Sequence, residues 1–324
     1  MTAQFLISLF LSIIILKGMM NFLKKYFLDL PNDRSSHLKP IPTGGGISFV
    51  ICGCLFGAIN NFWLPILSLP LSLIGFLDDL RGLNPTLRYL TQALTCLAFI
   101  LDSKIYESVI QNSTIFSQIF FIVLLILVGT AIINFLNFMD GIDGILASCM
   151  VIIFGVLAIR SFPYLVPFIA SIIGFLKFNW PPAKIFMGDV GSTFIGAVFV
   201  GCIFQISGNK NDFLMIFIAT PLLLDSFICV IRRFFNGDNI FKPHKLHLYQ
   251  RLNQAGFSHQ KVSVIYLLTT IFLALFYLFG NLNMYIISIL STLIFGIFLE
   301  KKYAFPFRNY KKLQIHKNLD NFIQ

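Results

Sequence analysis

Apolar residues in this chain arrive in long blocks separated by short polar links. A helix needs roughly 20 apolar residues to cross a hydrocarbon core about 30 Å thick. Eleven blocks approach that length, at approximately 3–23, 44–61, 62–77, 87–102, 115–136, 145–160, 162–178, 192–207, 213–231, 262–280 and 284–299. They predict an all-α polytopic membrane bundle, one integral membrane domain over residues 1–324 with a short basic cytoplasmic tail at 300–324. The second and third blocks are split only by Asn60-Asn61 and are also readable as a re-entrant pair, which lowers the count to ten or nine. The first has no basic residue before it and no small-residue cleavage site after Lys17, so it is read as a retained helix rather than a signal peptide.

Composition agrees: 57% of the residues are hydrophobic, 12% are charged and 38 are Phe, a balance no water-soluble fold of this length keeps dispersed. Cytoplasmic loops collect Lys and Arg. With the N-terminus outside and the C-terminus cytoplasmic, only Lys104, Arg160 and Lys210 of the 24 basic residues fall on the outer side. The net charge of +10 is then a topology signal and an attraction to anionic headgroups, not a nucleic-acid patch. All six cysteines lie inside apolar blocks as small hydrophobes, which suggests neither a disulfide framework nor a metal knuckle.

The acids carry the chemistry. Charge near a membrane core is expensive and asks for a reason, and this orientation puts Asp78, Asp79, Asp140, Asp143, Asp189 and Asp238 on one face. Adjacent Asp78 and Asp79 repel unless a cation lies near them. In NFLNFMDGIDGI, Asn137, Asp140 and Gly144 have the spacing of one helical face, and the carboxylates suit a hard cation or sugar hydroxyls. In FMGDVGS, Gly188 and Gly191 let backbone amides approach a ligand and Asp189 reaches a metal. Ser192 is the expected N-cap of the next helix, whose start suits a phosphate.

Asp225, two turns from Arg232 and Arg233, is expected in a buried ion pair or a hydrogen bond to a neighbouring helix. In the basic loop beyond, Lys242, His244, Lys245, His247 and Arg251 supply donors for diphosphate oxygens. A donor role favours imidazolium, so affinity should weaken as pH rises through about 6.5 to 8. His244 and His247 have no third His or Cys nearby in sequence, so zinc is set aside. The first loop, with Arg34, His37, Lys39 and three glycines before a helix, is another candidate anion cradle.

Taken in order, Lys39 with PTGGG, then DD, NFMDGIDG, FMGDVGS and HKLHLYQRL resemble the polyprenyl-phosphate sugar-1-phosphate transferase superfamily, from about Asp29 to Gln254. The resemblance implies a Mg²⁺-dependent enzyme, with Mn²⁺ an acceptable substitute, in the bacterial cytoplasmic membrane with its active site facing the cytoplasm. Undecaprenyl or another polyprenyl phosphate would attack the sugar-side phosphorus of a UDP-N-acetylhexosamine and release UMP. It further implies Asp189 as metal ligand, with Asp78 or Asp79 at the lipid phosphate as base or second metal contact. Asn137, Asp140 and Asp143 would meet the nucleotide or pyrophosphate, and Lys39, His244, His247 and Arg251 would hold phosphate oxygens. The peptidoglycan branch is expected to carry consecutive histidines where this chain reads PHKLHLYQRL. That departure favours a branch initiating surface polysaccharides such as O-antigen over phospho-N-acetylmuramoyl-pentapeptide transfer. A homodimer is expected from the family alone, and a secondary transporter is the rival from another class, though its sites belong at the midplane.

Overall fold

The computed structural model describes residues 1–31, 36–37, 39–107, 113–206, 212–240, 242 and 244–307. Arg34, Lys210 and most of the basic tail lie outside the described residues. Every apolar block coincides with helix. The chain runs α1 (Thr2–Tyr26), α2 (Ile47–Ile59), a short α3 (Leu64–Leu67), α4 (Leu69–Arg81), α5 (Pro85–Leu101), α6 (Ile115–Phe138) and α7 (Ile145–Arg160). It continues through α8 (Val166–Asn179), α9 (Asp189–Gln205), α10 (Thr220–Phe235), α11 (Leu248–Gln254), α12 (His259–Phe279) and α13 (Leu282–Lys302). A two-residue antiparallel ribbon, β1 (Leu28–Asp29) with β2 (Ile41–Pro42), ties off the first loop.

Local signals explain the boundaries. Asn84 caps α5 by accepting from Thr86 N at 3.0 Å, and Pro85 fills the first helical position, where no N–H partner is needed. Two expected boundaries move. The α6 helix stops at Phe138, so Asp140, Asp143 and Gly144 sit in a turn rather than on a continuing helical face, with Gly144 at φ 72°. The α9 helix begins at Asp189 with Gly188 as its cap, and Ser192 lies within its first turn, donating to Gly188 O at 3.1 Å. The basic loop holds an unexpected short helix, α11.

Every residue of α9 from Val190 to Phe204 is buried. A helix apolar on all sides needs neighbours on all sides, and α9 is the axle of the bundle. At the periphery Phe116 and Phe279 are 83% and 82% exposed, faces that water does not tolerate and hydrocarbon does. Among the described residues five helical stretches are long and apolar enough to cross a membrane: α1, α6, Asp212–Phe235, α12 and α13. Shorter apolar helices, α2, α7, Pro163–Asn179 and α9, complete the interior of this multi-pass membrane protein.

The motif-bearing ends meet at one end of the bundle. Gly45 N donates to Phe186 O and Gly46 N to Met187 O, both at 2.9 Å, joining the start of α2 to the approach to α9. Those two amides are therefore spent on protein carbonyls and are not offered to an anion. Gly144 N donates to Asn179 Oδ1 at 3.0 Å, joining the turn after α6 to the end of α8.

Candidate active site

Two edges of different chemistry face each other across this end. The acidic edge depends on how closely α4 approaches α9. A Cβ on Gly75 would stand 2.6 Å from Asp189 O, so only glycine permits the contact. It carries Asp79, at the polar end of α4, onto the start of α9, where Asp79 Oδ1 accepts from Asp189 N at 3.2 Å. The group at this helix N-terminus is thus a protein carboxyl, whose oxygen accepts from an exposed N–H group there. Asp79 Oδ2 is buried with no hydrogen-bond partner. Burial, then the neighbouring charge of Asp189, pushes Asp79 up to about 8.

Arg88, one turn into α5, spans the acids. Its Nη1 lies 2.5 Å from Asp78 Oδ2 and its Nη2 3.0 Å from Asp189 Oδ2. Asp78 Oδ1 also accepts from Leu83 N at 2.5 Å. With its nitrogen turned toward Asp189, the Asn137 amide donates to Ser192 Oγ at 2.8 Å and Asp189 Oδ1 at 3.2 Å and accepts from Arg88 at 3.2 Å. In the turn after α6, burial and then the charges of Asp189, Asp79 and Asp143 raise Asp140 well above the usual carboxylate range.

The opposite edge is built of imidazoles and hangs from one buried carboxylate. Asp225, on α10, accepts from Leu248 N at 2.6 Å, Tyr249 N at 3.0 Å and Tyr266 OH at 2.7 Å. It thereby pins the N-terminus of α11 and the preceding His247, whose Nδ1 stands 3.7 Å from Asp225 Oδ1. The expected bond to a neighbouring helix is present, and its partners are these rather than the arginines two turns on. Tyr249 OH donates to Phe138 O at 2.9 Å, fastening α11 to the end of α6. The His244 and His247 rings stack with centroids 4.9 Å apart. His244 Nδ1 accepts from Leu246 N at 3.3 Å, which leaves the proton on Nε2. Burial, then His247 and Arg233, presses His244 down to about 3. In the substrate-free cleft His244 is neutral across pH 6.5 to 8, so the imidazolium expected from sequence is not what this residue offers.

A third wall comes from His259 at the start of α12. Its Nδ1 is 3.0 Å from Asp143 Oδ1 and its Nε2 is 3.1 Å from Ser36 O, which straps the first loop to the turn after α6. Asp143 also accepts from Ala183 N at 2.9 Å. Between these walls lies an open cleft of about 700 Å³.

Of the residues singled out in sequence, Asp78, Asp79, Asn137, Asp140, Asp189, Lys242, His244 and His247 line this cleft, as does His37. Others stand elsewhere. Asp143 is buried behind the wall, holding His259. Arg251 is 4% exposed and turned away, bonded to Leu246 O, Phe305 O and Glu300. Lys39 is exposed outside the lining, and its carbonyl pairs with His37 Nδ1 at 2.8 Å. Asp238 is not among the lining residues. Sequence reasoning passed over Arg88, Tyr249 and His259. A basic residue one turn past an Asn-Pro helix start is a findable signal for Arg88; His259 and Tyr249 had none beyond residue type. The zinc argument also changes, because Cys229 on α10 comes within 4.8 Å of ring nitrogens of both His244 and His247.

A hard divalent cation fits the acidic edge, since Asp79 Oδ2 is buried and unpartnered while Asp78 and Asp189 already share a cationic group. A family model described as glycosyl transferase family 4 matches residues 61–207. An undecaprenyl-phosphate alpha-N-acetylglucosaminyl 1-phosphate transferase of Thermotoga maritima is 29% identical over 226 residues, 70% of this chain and 72% of the relative. A probable undecaprenyl-phosphate N-acetylglucosaminyl 1-phosphate transferase of Bacillus subtilis is 29% identical, covering 76% of this chain and 75% of the relative. A phospho-N-acetylmuramoyl-pentapeptide-transferase of Dictyoglomus turgidum is 32% identical over 286 residues, 79% of this chain and 90% of the relative.

Proposed function

Because the chain belongs to the polyprenyl-phosphate sugar-1-phosphate transferases, the glycosyl transferase 4 family, we propose that its cleft joins a polyprenyl phosphate to the sugar phosphate of a UDP-N-acetylhexosamine and releases UMP. The observation that carries this reading is one cleft with partly buried carboxylates on one edge, among them the unpartnered Asp79 Oδ2, and imidazole side chains on the other. A lipid phosphate oxygen bonds to the sugar-side phosphorus, and the bond from that phosphorus to the bridging oxygen breaks, leaving with UMP. Transfer of this kind needs positioning and charge neutralisation more than covalent help. Asp189, Asp79 and Asp78 would hold Mg²⁺, which supplies neutralisation of the diphosphate charge when bound. His244 donates from Nε2, and His247 and Lys242 stand beside it to hold the oxygens of the donor diphosphate. Asp140, whose carboxyl burial and the neighbouring acids hold above the usual range, lines the cleft beside them. Arg88 aligns Asp78 with Asp189 and keeps one positive group at the reaction centre.

We read the end of the bundle where the motif-bearing helix ends meet as the cytoplasmic one, with eleven crossings and the N-terminus outside. The names of the bacterial relatives support an undecaprenyl-phosphate acceptor and an N-acetylglucosaminyl 1-phosphate donor group; a cytoplasmic-membrane location and the start of a surface polysaccharide such as O-antigen belong to the same reading. Transfer of N-acetylmuramoyl-pentapeptide phosphate is the second reading, favoured by the 32% identity to an enzyme of that name. The test is a panel of radiolabelled UDP-sugars, UDP-N-acetylmuramoyl-pentapeptide among them, incubated with purified protein, polyprenyl phosphate and Mg²⁺. Label should enter lipid from a UDP-N-acetylhexosamine. Entry from the pentapeptide nucleotide alone selects the second reading, and entry from none overturns both.

A further inference from the structure

The imidazole edge carries a feature that sugar-phosphate transfer does not use. Cys229, one helical turn beyond Asp225 on α10, presents its sulfur to His244 and His247, and one ligand atom from each of the three lies within 4.8 Å of the others. Cys229 and His247 are each 3% exposed, His244 is half-buried, and both histidines also line the cleft. His247 Nδ1 has no hydrogen-bond partner and stands 3.7 Å from the Asp225 carboxylate. An unpartnered, buried ring nitrogen next to a thiol and a second imidazole is a lone pair or a proton with no use in the protein alone, and the nearby carboxylate offsets the charge of a cation bound there. A thiolate and two imidazoles are the donors that soft and borderline ions prefer, and hard Mg²⁺ does not.

We propose that Cys229, His244 and His247 form a second metal site, selective for Zn²⁺ and similar thiophilic ions, whose occupation inhibits the enzyme by withdrawing both histidines from the substrate diphosphate. The inhibitory consequence rests on the function proposed above; the site itself does not. On binding, the thiol gives its proton to solvent and the two ring nitrogens donate lone pairs, with no change of oxidation state. At His244 the Nε2 proton moves to Nδ1, and the long contact from Leu246 N is given up. Arg233, which bears on His244 electrostatically, opposes a cation here, so the ion is a reversible inhibitor and not a structural staple.

The test has two arms on the full chain in detergent. In the first, Co²⁺ is titrated into the substrate-free protein in the presence of Mg²⁺, and thiolate-to-cobalt charge-transfer absorption is recorded. The native chain should show the band, and Cys229→Ser and Cys229→Ala should not. In the second, Zn²⁺ is titrated into the transfer assay at saturating Mg²⁺. Both variants should keep native basal activity and need at least about tenfold more Zn²⁺ for half-inhibition, the scale on which metal sites lose affinity when their built-in support is removed. Excess UDP-sugar should protect the native chain. No band in the native protein overturns the site, and so does equal Zn²⁺ sensitivity in the native chain and a folded Cys229 variant. A band without any transfer activity leaves the site standing and removes the function proposed above.

Discussion

The two edges of the cleft are built in opposite ways. The acidic edge is made from the ends of long packed helices, and its backbones touch directly, Gly75 against Asp189. Its charge is left open, with Asp79 Oδ2 buried and unpartnered. The imidazole edge is made from a seven-residue helix and the segment before it, held by the bonds that Asp225 accepts. There the buried carboxylate is satisfied from within, by two backbone amides and a tyrosine hydroxyl. A cut on the acidic side should therefore remove chemistry and spare the fold, whereas a cut behind the imidazoles should loosen the fold and weaken binding.

The largest effect is expected from Asp189→Asn. Transfer should fall by at least about a hundredfold, the scale seen when preorganised charge stabilisation is removed, with the thermal midpoint in detergent nearly unchanged. A chelator should reproduce the loss in the native chain. Full activity in the variant removes Asp189 from the reaction centre. Next comes Asp225→Ala, which strands two backbone donors and a buried tyrosine hydroxyl. Breaking a buried network of this kind costs about 3–5 kcal/mol, so the unfolding midpoint should drop, while Asp225→Asn retains part of the network and drops less. Equal stability of both variants would mean that α11 is held by something else.

His247→Ala should raise the KM for the nucleotide sugar about tenfold with little change in stability, as expected for one hydrogen bond to a charged oxygen worth about 1–3 kcal/mol. The smallest effect concerns pH. The His244 ring resists protonation in the fold down to about 3, whereas in the unfolded chain it protonates near its ordinary value. The unfolded state thus binds more protons below about pH 6.5, and stability should decline as pH falls, by at most about 1.4 kcal/mol per pH unit from this group. His244→Gln should flatten that decline between pH 7 and 5. An unchanged slope would show that the ring titrates freely.

What was legible in the sequence follows the same division. Helices and the acids at their ends could be read because apolar blocks and their polar stops are local patterns: Asp78, Asp79, Asn137 and Asp189 reached the cleft from three separate motifs. Contacts between distant segments could not be read. Nothing near Arg88 in sequence names Asp189, nothing near His259 names Asp143, and Cys229 looked like one more small apolar residue in a helix. Arg251 misled for the converse reason. A basic residue in a basic loop suits phosphate, yet a carboxylate from α13, Glu300, pairs with it from 49 positions away.

Helix length sets the depth at which all of this operates. The outer α1 has 25 residues, about 37 Å of rise, whereas α2 and α4 beneath the cleft have 13 each, about 20 Å. Single inner helices of that length fall short of a hydrocarbon core about 30 Å thick. On the function proposed above, a phosphate tethered to a long hydrocarbon chain would reach such helix ends near the level where headgroups lie, and the water-soluble substrate would do the travelling, descending to the lipid.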